Sequence, residues 1–180
     1  MATLKVPVTT NDHIQGPEDA AVTLVEYGDY ECPHCGHAYH IVKQVQKHYG
    51  SDLRFVFRNF PLAEIHPHAE AAAEAAEFAN ASGKFWEMHD GIYQNQQRLN
   101  SSLLFKLAAD IDISVEGLRK SLEDHEFASK VRQDFLGGVR SGVNGTPAFF
   151  INGIRHDAPY DFENLRSAID ARLARLKAAS

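Results

Sequence analysis

The chain has 180 residues, a net charge of −6 at pH 7, 44% hydrophobic residues and 23% charged residues. These values predict a globular protein with a sizeable core. The acidic balance argues against a nucleic-acid surface, which needs clustered Lys and Arg. No apolar run approaches the roughly 20 residues of a membrane span. We therefore expect no nucleic-acid binding and no stable membrane insertion, and we expect a monomer.

The first third of the chain predicts a strand, a helix and a second strand. Residues 12–20, which include Gly16 and Pro17, are typical of a surface segment. The apolar and β-branched run 22–27 predicts a central strand, and residues 53–58 predict another. Between them a helix is expected to begin at Pro33 and to be stopped by Tyr49-Gly50-Ser51-Asp52. This order predicts a βαβ unit with two parallel strands.

From His68 to about Val139 the pattern is helical throughout, which predicts an inserted helical cap. One face of its first helix carries three acidic residues, Glu70, Glu74 and Glu77. We expect this face to be solvated rather than to form a metal or catalytic carboxylate cluster. Ser101 and Ser114 are expected to cap two further helices.

The last segment predicts a hairpin followed by a helix. Residues 148–151 and 154–156 are the expected strands, and Asn152-Gly153 between them suits a type I′ turn. Pro147 belongs at the start of the first strand, because proline cannot donate within a ladder. A final helix is expected near residues 160–177.

Both cysteines of the chain lie in Cys32-Pro33-His34-Cys35, where the first predicted strand leads into the helix. A thiol at a helix N-terminus is favoured as the reactive thiolate. The second sulfur lies within one helical turn and can attack a mixed disulfide formed by the first. The pattern predicts a redox-active pair, with Cys32 accessible and Cys35 shielded.

Other interpretations of the cysteine pair are less favourable. A structural zinc site needs four ligands, and a second Cys-x-x-Cys pair is absent. His37 and His40 would point away from the helix face that carries the cysteines. A structural disulfide that closes so short a loop would remove little entropy from the unfolded chain. Two unrelated free cysteines would be a coincidence in this strand-to-helix setting.

Three characteristic segments lie between about Asp12 and the C-terminus: Val-Glu-Tyr-Gly-Asp-Tyr-Glu-Cys-Pro-His-Cys, Phe-Arg-Asn-Phe-Pro-Leu and Gly-Val-Asn-Gly-Thr-Pro-Ala-Phe-Phe-Ile-Asn-Gly. Through them the chain resembles the DsbA-like thioredoxin-fold oxidoreductases. The resemblance covers this whole stretch. It implies an α/β thioredoxin fold, with βαβ and ββα units around a mixed central sheet. Residues 1–66 and 140–180 would form the core, and residues 67–139 would form the inserted helical cap.

The resemblance also implies roles for particular residues. Cys32 would be the nucleophile and Cys35 the resolving thiol, with Pro33 between them at the first helical position. Pro147 would be the family's cis-proline, packed against the cysteine pair. Thr146 would offer its backbone to an extended substrate segment, in the manner of strand addition.

Two further residues complete the candidate catalytic set. Glu26 matches the family's buried acid and would relay a proton to or from Cys35; the alternative is a solvated residue at the strand end. His34 would stabilise a neighbouring thiolate; the alternative is an exposed helix histidine. His66 and His68 lie in a loop expected to border the active site, but in a chain with 10 histidines we assign them no role.

The favoured hypothesis is a thiol-disulfide oxidoreductase acting on cysteine-containing proteins or small disulfides, together with an unidentified redox partner. The Cys32–Cys35 pair would be the redox centre, without a bound cofactor or metal. One alternative is a peptide-binding or chaperone-like module on the same fold. Another is a glutathione-dependent isomerase or transferase, although the first cysteine position is typically serine in those relatives.

The expected compartment decides the direction of electron flow. The N-terminal residues lack the basic segment and apolar core of an export signal, so we expect a cytoplasmic protein, or a periplasmic one if a leader has been removed. In the cytosol the pair would mainly reduce or exchange disulfides, because glutathione keeps an easily reduced pair as the dithiol. In a periplasm it would oxidise.

Overall fold

The computed structural model describes residues 2–179. Within them the strands are β1 (His13–Gln15), β2 (Val22–Gly28), β3 (Leu53–Asn59), β4 (Ala148–Ile151) and β5 (Ile154–His156). The α-helices are α1 (Pro33–Tyr49), α2 (Ala69–Asn80), α3 (Phe85–Gln94), α4 (Ser101–Asp110), α5 (Val115–Glu123), α6 (Ala128–Arg140) and α7 (Phe162–Ala178). Short 3₁₀ turns occupy Gly50–Asp52 and Gln96–Arg98.

The strands form one mixed sheet in the order β1-β3-β2-β4-β5. β1 pairs antiparallel with β3, and β4 pairs antiparallel with both β2 and β5. β2 and β3 lie side by side and are joined through α1, as a βαβ unit requires. The predicted thioredoxin-like α/β fold is confirmed.

The chain divides into two compact units. The first consists of Met1–Gly28, His37–Arg58 and Gly137–Ser180, and the second of Asp29–Gly36 and Asn59–Leu136. The sheet residues belong to the first unit apart from Asn59, and most of the helical segment belongs to the second. The predicted division at residues 67 and 139 stays a prediction, because compactness alone does not define an inserted domain.

A buried arginine organises the first unit. Arg58 is 3% exposed, and its Nε and Nη2 atoms donate to the two carboxylate oxygens of Asp12 at 2.7 and 3.0 Å. Its Nη1 atom donates to the Tyr27 hydroxyl at 3.0 Å and to the carbonyl of Val6 at 2.8 Å, while Nη2 donates to the carbonyl of Pro7 at 2.9 Å. The guanidinium therefore ties the N-terminal segment to β3 and β2.

Within the predicted surface segment 12–20, the strand β1 was not predicted, and His13 in it is buried. His13 lies opposite Phe57 and Gln15 opposite Phe55, so this stretch forms a strand at the edge of the sheet. Three residues are too short for an alternating pattern to show in the sequence. Gly16 follows with φ +100°, a conformation that suits glycine, and a Cβ there would collide with the carbonyl oxygen of Leu53.

The expectation of a solvated acidic face on α2 was wrong for Glu74 and Glu77, which are 4% and 3% exposed. The Glu77 carboxylate accepts from Asn59 Nδ2 at 2.7 Å, and Glu74 lies 3.1 Å from His125 Nδ1. α2 packs against α3, α4 and α5, so several of its faces are covered. A buried carboxylate is tolerated where such polar partners compensate its lost hydration.

Asp134 on α6 completes this buried polar cluster. Its Oδ2 atom accepts from the Asn59 backbone N–H and from Asn59 Nδ2, both at 3.1 Å, and Lys130 Nζ lies 2.6 Å from its Oδ1 atom. Burial raises the pKa of Asp134, and the nearby Glu77 adds to the rise, against the opposing effects of Lys130 and the Asn59 N–H. The cluster joins the end of β3 to α2 and α6.

Local turn and capping signals were predicted well. Asn152 and Gly153 both have positive φ, 47° and 78°, as a type I′ turn requires. Ser114 caps α5 by accepting from the Gly117 N–H at 2.9 Å. The predicted cap at Ser101 was wrong by one residue: Asn100 caps α4, and its side chain accepts from Leu103 N–H. Asparagine caps helices as well as serine does, so the two neighbours compete.

We expect Asp12→Ala to lower the free energy of unfolding by about 3 kcal/mol, because it leaves the buried Arg58 guanidinium without its counter-charge. Urea unfolding monitored by circular dichroism measures the change. The control is Asp157→Ala, which removes a pair with Arg155 in which Asp157 is 64% exposed. That change should cost less than about 1 kcal/mol. Equal losses in the two variants would contradict the prediction.

Asp134→Asn should become more stable relative to the parent as pH rises. The pKa of Asp134 lies above 3.8 in the folded state, so the native protein binds the extra proton, and the parent loses stability as that proton leaves. The stability difference between variant and parent should therefore increase from about pH 4 upward and level off above the folded pKa. Urea unfolding from pH 4 to pH 8 measures it. A difference that is flat or decreases with pH would refute the assignment.

Candidate active site

Both cysteines belong to the short segment Asp29–Gly36 of the second unit. Cys32 directly precedes α1, and its carbonyl accepts from the Gly36 N–H at 3.1 Å, which is the first bond of the helical type. Pro33 occupies the first position of α1, as predicted. Both cysteines are buried. The pair thus lies at the N-terminus of a helix of 17 residues.

The expectation that Cys32 is accessible was wrong when it is judged by the exposed fraction of the residue. Cys32 is 4% exposed and Cys35 is 0% exposed. Gln96 lies over the segment, where its Nε2 atom donates to the carbonyls of Tyr30 and Cys32 at 2.9 and 2.8 Å. The 3₁₀ turn after α3 therefore covers the start of α1, which no local sequence pattern indicated.

Asp29 connects the two cysteines through its backbone and its side chain. Its backbone N–H donates to the Cys35 sulfur at 3.4 Å. Its Oδ1 atom accepts from the N–H groups of Glu31 and Cys32 at 2.7 and 3.2 Å. A hydrogen bond to sulfur favours the thiolate over the thiol, since the charged form is the stronger acceptor. Asp29 is thus a residue of the site for which no role was predicted from the sequence.

The other oxygen of Asp29 binds the loop that follows β3. Its Oδ2 atom accepts from the Leu62 N–H at 2.8 Å and lies 2.7 Å from His66 Nδ1. The side chains of His66 and Asp29 are 16% and 0% exposed. No role was predicted for His66 from the sequence, but the structure places it against Asp29, whose backbone N–H donates to the Cys35 sulfur.

A second histidine–carboxylate pair lies beside the first. Glu31 accepts from the His68 backbone N–H at 2.6 Å and lies 2.9 Å from His68 Nδ1. Asp29 and Glu31 are two residues apart, as are His66 and His68. This matched spacing was the signal that could have revealed the two pairs. It was too weak among 10 histidines without knowledge of the fold.

Buried aromatic residues support the segment within the second unit. The Tyr30 hydroxyl lies 3.0 Å from His89 Nδ1, and the Tyr93 hydroxyl donates to the Asp29 carbonyl at 3.4 Å. The rings of Tyr30 and Tyr93 are 5.0 Å apart at their centroids. These contacts hold the backbone of residues 29 and 30 in place next to the cysteines.

The other predicted site residues lie on α1, on β2 and directly before β4. His34 is exposed on the first turn of α1. Glu26 is 2% exposed in β2, which agrees with the buried acid rather than with a solvated strand end. The Thr146–Pro147 peptide bond is cis, as predicted, and directly precedes β4. Glu26, Thr146 and Pro147 belong to the first unit, and their roles, like that of His34, stay predictions.

Residues 2–179 contain no group of three or more His, Cys, Asp or Glu side chains arranged to hold a metal ion. Within the same residues no helix is both long and apolar enough to cross a bilayer. The chemical groups that the segment does offer are two neighbouring thiols at a helix N-terminus and a backbone donor to the second sulfur. This arrangement is suited to thiol-disulfide exchange.

A family model described as thioredoxin matches residues 8–171. The chain belongs to the thioredoxin family. Among solved structures it is similar to oxidised BdbD from Bacillus subtilis, with 27% identity, a TM-score of 0.86 and coverage of 96% of this chain and 98% of that one. The DsbA-like resemblance is thereby confirmed.

Two further structures show the same fold. A thioredoxin-like oxidoreductase from Silicibacter pomeroyi DSS-3 has 24% identity and a TM-score of 0.79, covering 96% of this chain and 95% of that one. Wolbachia pipientis alpha-DsbA1 has 19% identity and a TM-score of 0.81, covering 96% and 98%. The chain therefore has the same fold as these two proteins over nearly its whole length.

The chain also matches one part of several much longer curated proteins. Na(+)/H(+) antiporter NhaA 3 of Salinispora tropica is 43% identical over 172 residues, which are 95% of this chain and 26% of the relative. Na(+)/H(+) antiporter NhaA 1 of Mycobacterium sp. strain KMS is 41% identical over 162 residues, 89% of this chain and 26% of the relative. The chain thus spans about a quarter of the length of these relatives.

We expect Gly36→Ala to lower the free energy of unfolding by about 1 kcal/mol. A Cβ there would collide with Oε1 of Gln96, so the amide must leave the two carbonyls that it binds. Losing two bonds of about 1 kcal/mol each outweighs the gain of about 1 kcal/mol from alanine in a helix. In a Gln96→Ala background the same change should instead be neutral or stabilising. Urea unfolding of the four proteins measures this cycle, and additive changes would contradict it.

Proposed function

We propose that this protein is a thiol-disulfide oxidoreductase that exchanges disulfides with cysteine-containing proteins or small disulfides through Cys32 and Cys35. The observation that carries the proposal is the placement of both thiols at the start of α1, with the Asp29 N–H 3.4 Å from the Cys35 sulfur. Membership of the thioredoxin family and similarity to oxidised BdbD support the same class of chemistry.

The disulfide exchange itself takes place between the two cysteines and the substrate sulfurs. The Cys32 thiolate attacks one sulfur of a substrate disulfide, forms a mixed disulfide, and releases the other substrate sulfur as a thiolate. The Cys35 thiolate then attacks the Cys32 sulfur, which releases the second substrate thiolate and leaves a Cys32–Cys35 disulfide. The two protons of the enzyme thiols end on the substrate thiols. The reverse sequence oxidises a substrate dithiol.

The protein groups around the pair favour the charged sulfurs. The partial positive charge at the N-terminus of α1 favours the Cys32 thiolate. The Asp29 N–H favours negative charge on Cys35 when it attacks or leaves. In this proposal the buried Glu26 relays the proton of Cys35, and His34 supports the Cys32 thiolate.

Substrate binding and redox direction complete the proposal. In this proposal Thr146 and Pro147 form the substrate-binding segment, in which Thr146 offers its backbone to an extended substrate chain. The net direction follows the reduction potential of the compartment and of the redox partner that restores the pair. No cofactor or metal takes part in either half of the cycle.

The proposal predicts a trapped intermediate. Cys35→Ser should accumulate a stable mixed disulfide on Cys32 with oxidised glutathione, because the resolving thiol is gone. The parent should proceed to the Cys32–Cys35 disulfide, and Cys32→Ser should react far more slowly. Acid quenching, alkylation and mass spectrometry identify the species. No adduct on Cys35→Ser would favour a peptide-binding module, whereas conjugation of glutathione to an electrophile would favour the transferase alternative.

A second candidate function is redox control of an ion antiporter. It is favoured by the 43% identity to part of Na(+)/H(+) antiporter NhaA 3, which indicates that such a domain exists together with an antiporter in one relative. The same Cys35→Ser variant tests it when expressed in the native cell. Mixed disulfides with many different proteins support a general oxidoreductase. A single dominant adduct with a membrane antiporter supports the second candidate.

A further inference from the structure

The hydrogen bond from the Asp29 N–H to the Cys35 sulfur depends on how the Asp29 backbone is held. Asp29 is the first residue after β2, and its side chain is fully buried. A buried carboxylate is stable only where donors replace its lost water. The contacts that fix the Asp29 carboxylate therefore also fix the Asp29 backbone N–H, which faces the Cys35 sulfur.

The donors to the Asp29 carboxylate are three backbone N–H groups and one side chain. Glu31 and Cys32 donate from the cysteine segment itself, and Leu62 donates from the loop after β3. His66 provides the side chain, with Nδ1 2.7 Å from Oδ2. The Asp29 carboxylate accepts all three of these backbone hydrogen bonds. It is therefore also the acceptor towards His66, and Nδ1 is the donor.

We propose that His66 is a positioning residue that tunes the redox equilibrium of the Cys32–Cys35 pair by holding Asp29. It acts through Asp29, because its imidazole donates to the carboxylate while the Asp29 backbone N–H donates to Cys35. The inference rests on the proposed function and goes beyond it, since it names a residue of the loop after β3 that sets how readily the disulfide is reduced.

The direction of the effect follows from the bond to sulfur. A thiolate or thiol sulfur of Cys35 is a better acceptor than a disulfide sulfur, so the Asp29 N–H stabilises the dithiol form. Removing His66 takes away one donor of the carboxylate and so loosens Asp29, whose own backbone N–H faces the Cys35 sulfur. The dithiol form then loses part of its advantage, and the disulfide becomes harder to reduce.

The neighbouring pair of Glu31 and His68 provides a matched control. It has the same chemistry, with His68 Nδ1 2.9 Å from the Glu31 carboxylate, and it joins the same two segments of chain. Its side chains are more exposed, at 39% for His68 and 20% for Glu31. A change that only loosens the loop should act equally at His66 and at His68.

The experiment measures the equilibrium of each full-length variant with mixtures of reduced and oxidised glutathione, using alkylation and mass spectrometry. His66→Ala should lower the equilibrium constant for reduction of the Cys32–Cys35 disulfide about fivefold, the factor expected of one hydrogen bond. Such a change corresponds to about 20 mV for a two-electron couple.

His66→Asn should stay within about twofold of the parent, because its amide can donate from nearly the same position as Nδ1. His68→Ala should also stay within about twofold of the parent, because the His68 side chain contacts Glu31 rather than Asp29.

Circular dichroism checks that each variant is folded, and His66→Leu, which keeps the bulk without a donor, replaces His66→Ala if the latter unfolds. An unchanged constant in the donor-free variant overturns the proposal, as does an equal shift in His68→Ala. A shift in His66→Asn as large as that in the donor-free variant overturns it too. If the parent itself forms no Cys32–Cys35 disulfide with glutathione, the proposed function fails, and the role of His66 fails with it. The parent measurement therefore separates the two failures.

Discussion

The buried carboxylate of Asp29 is the constraint on which the local structure around the cysteines depends. Its side chain is 0% exposed, so each oxygen must find donors inside the protein. One oxygen binds the N–H groups of Glu31 and Cys32 and so shapes the turn into α1. The other binds Leu62 and His66 and so fastens the loop after β3. The same residue therefore closes the turn, anchors a loop and presents its own N–H to the second sulfur.

The same principle recurs away from the cysteines, where buried charges are satisfied by partners that are distant in sequence. Arg58 compensates Asp12 and collects carbonyls of the N-terminal segment within the first unit. Asn59, the next residue, donates to Glu77 and Asp134 within the second. Two adjacent residues of β3 thus serve two separate polar clusters. In the Phe-Arg-Asn segment noted in the sequence, the two polar side chains thus have a structural role, because each binds buried carboxylates.

Much of the fold could be predicted because its signals are local. Apolar and β-branched runs indicated β2 and β3, the Asn152-Gly153 turn indicated the hairpin, and proline after a strand indicated where α1 begins. The cysteine pair itself was evident, since two thiols one helical turn apart need no tertiary information to be recognised. The cis geometry before β4 followed from the family resemblance rather than from the residues.

The sequence by itself determined the pair of thiols and the order of the elements other than β1, because turn chemistry, periodicity and spacing act over a few residues. The fold class followed from the resemblance to a known family. Only the tertiary structure decided which polar side chains are buried and with what. Glu74 and Glu77 look like a solvated face until helices cover them, and His66 looks like one histidine among many until the loop after β3 meets Asp29. Burial and long-range hydrogen bonds depend on what packs against a residue, and its neighbours in sequence do not carry that information.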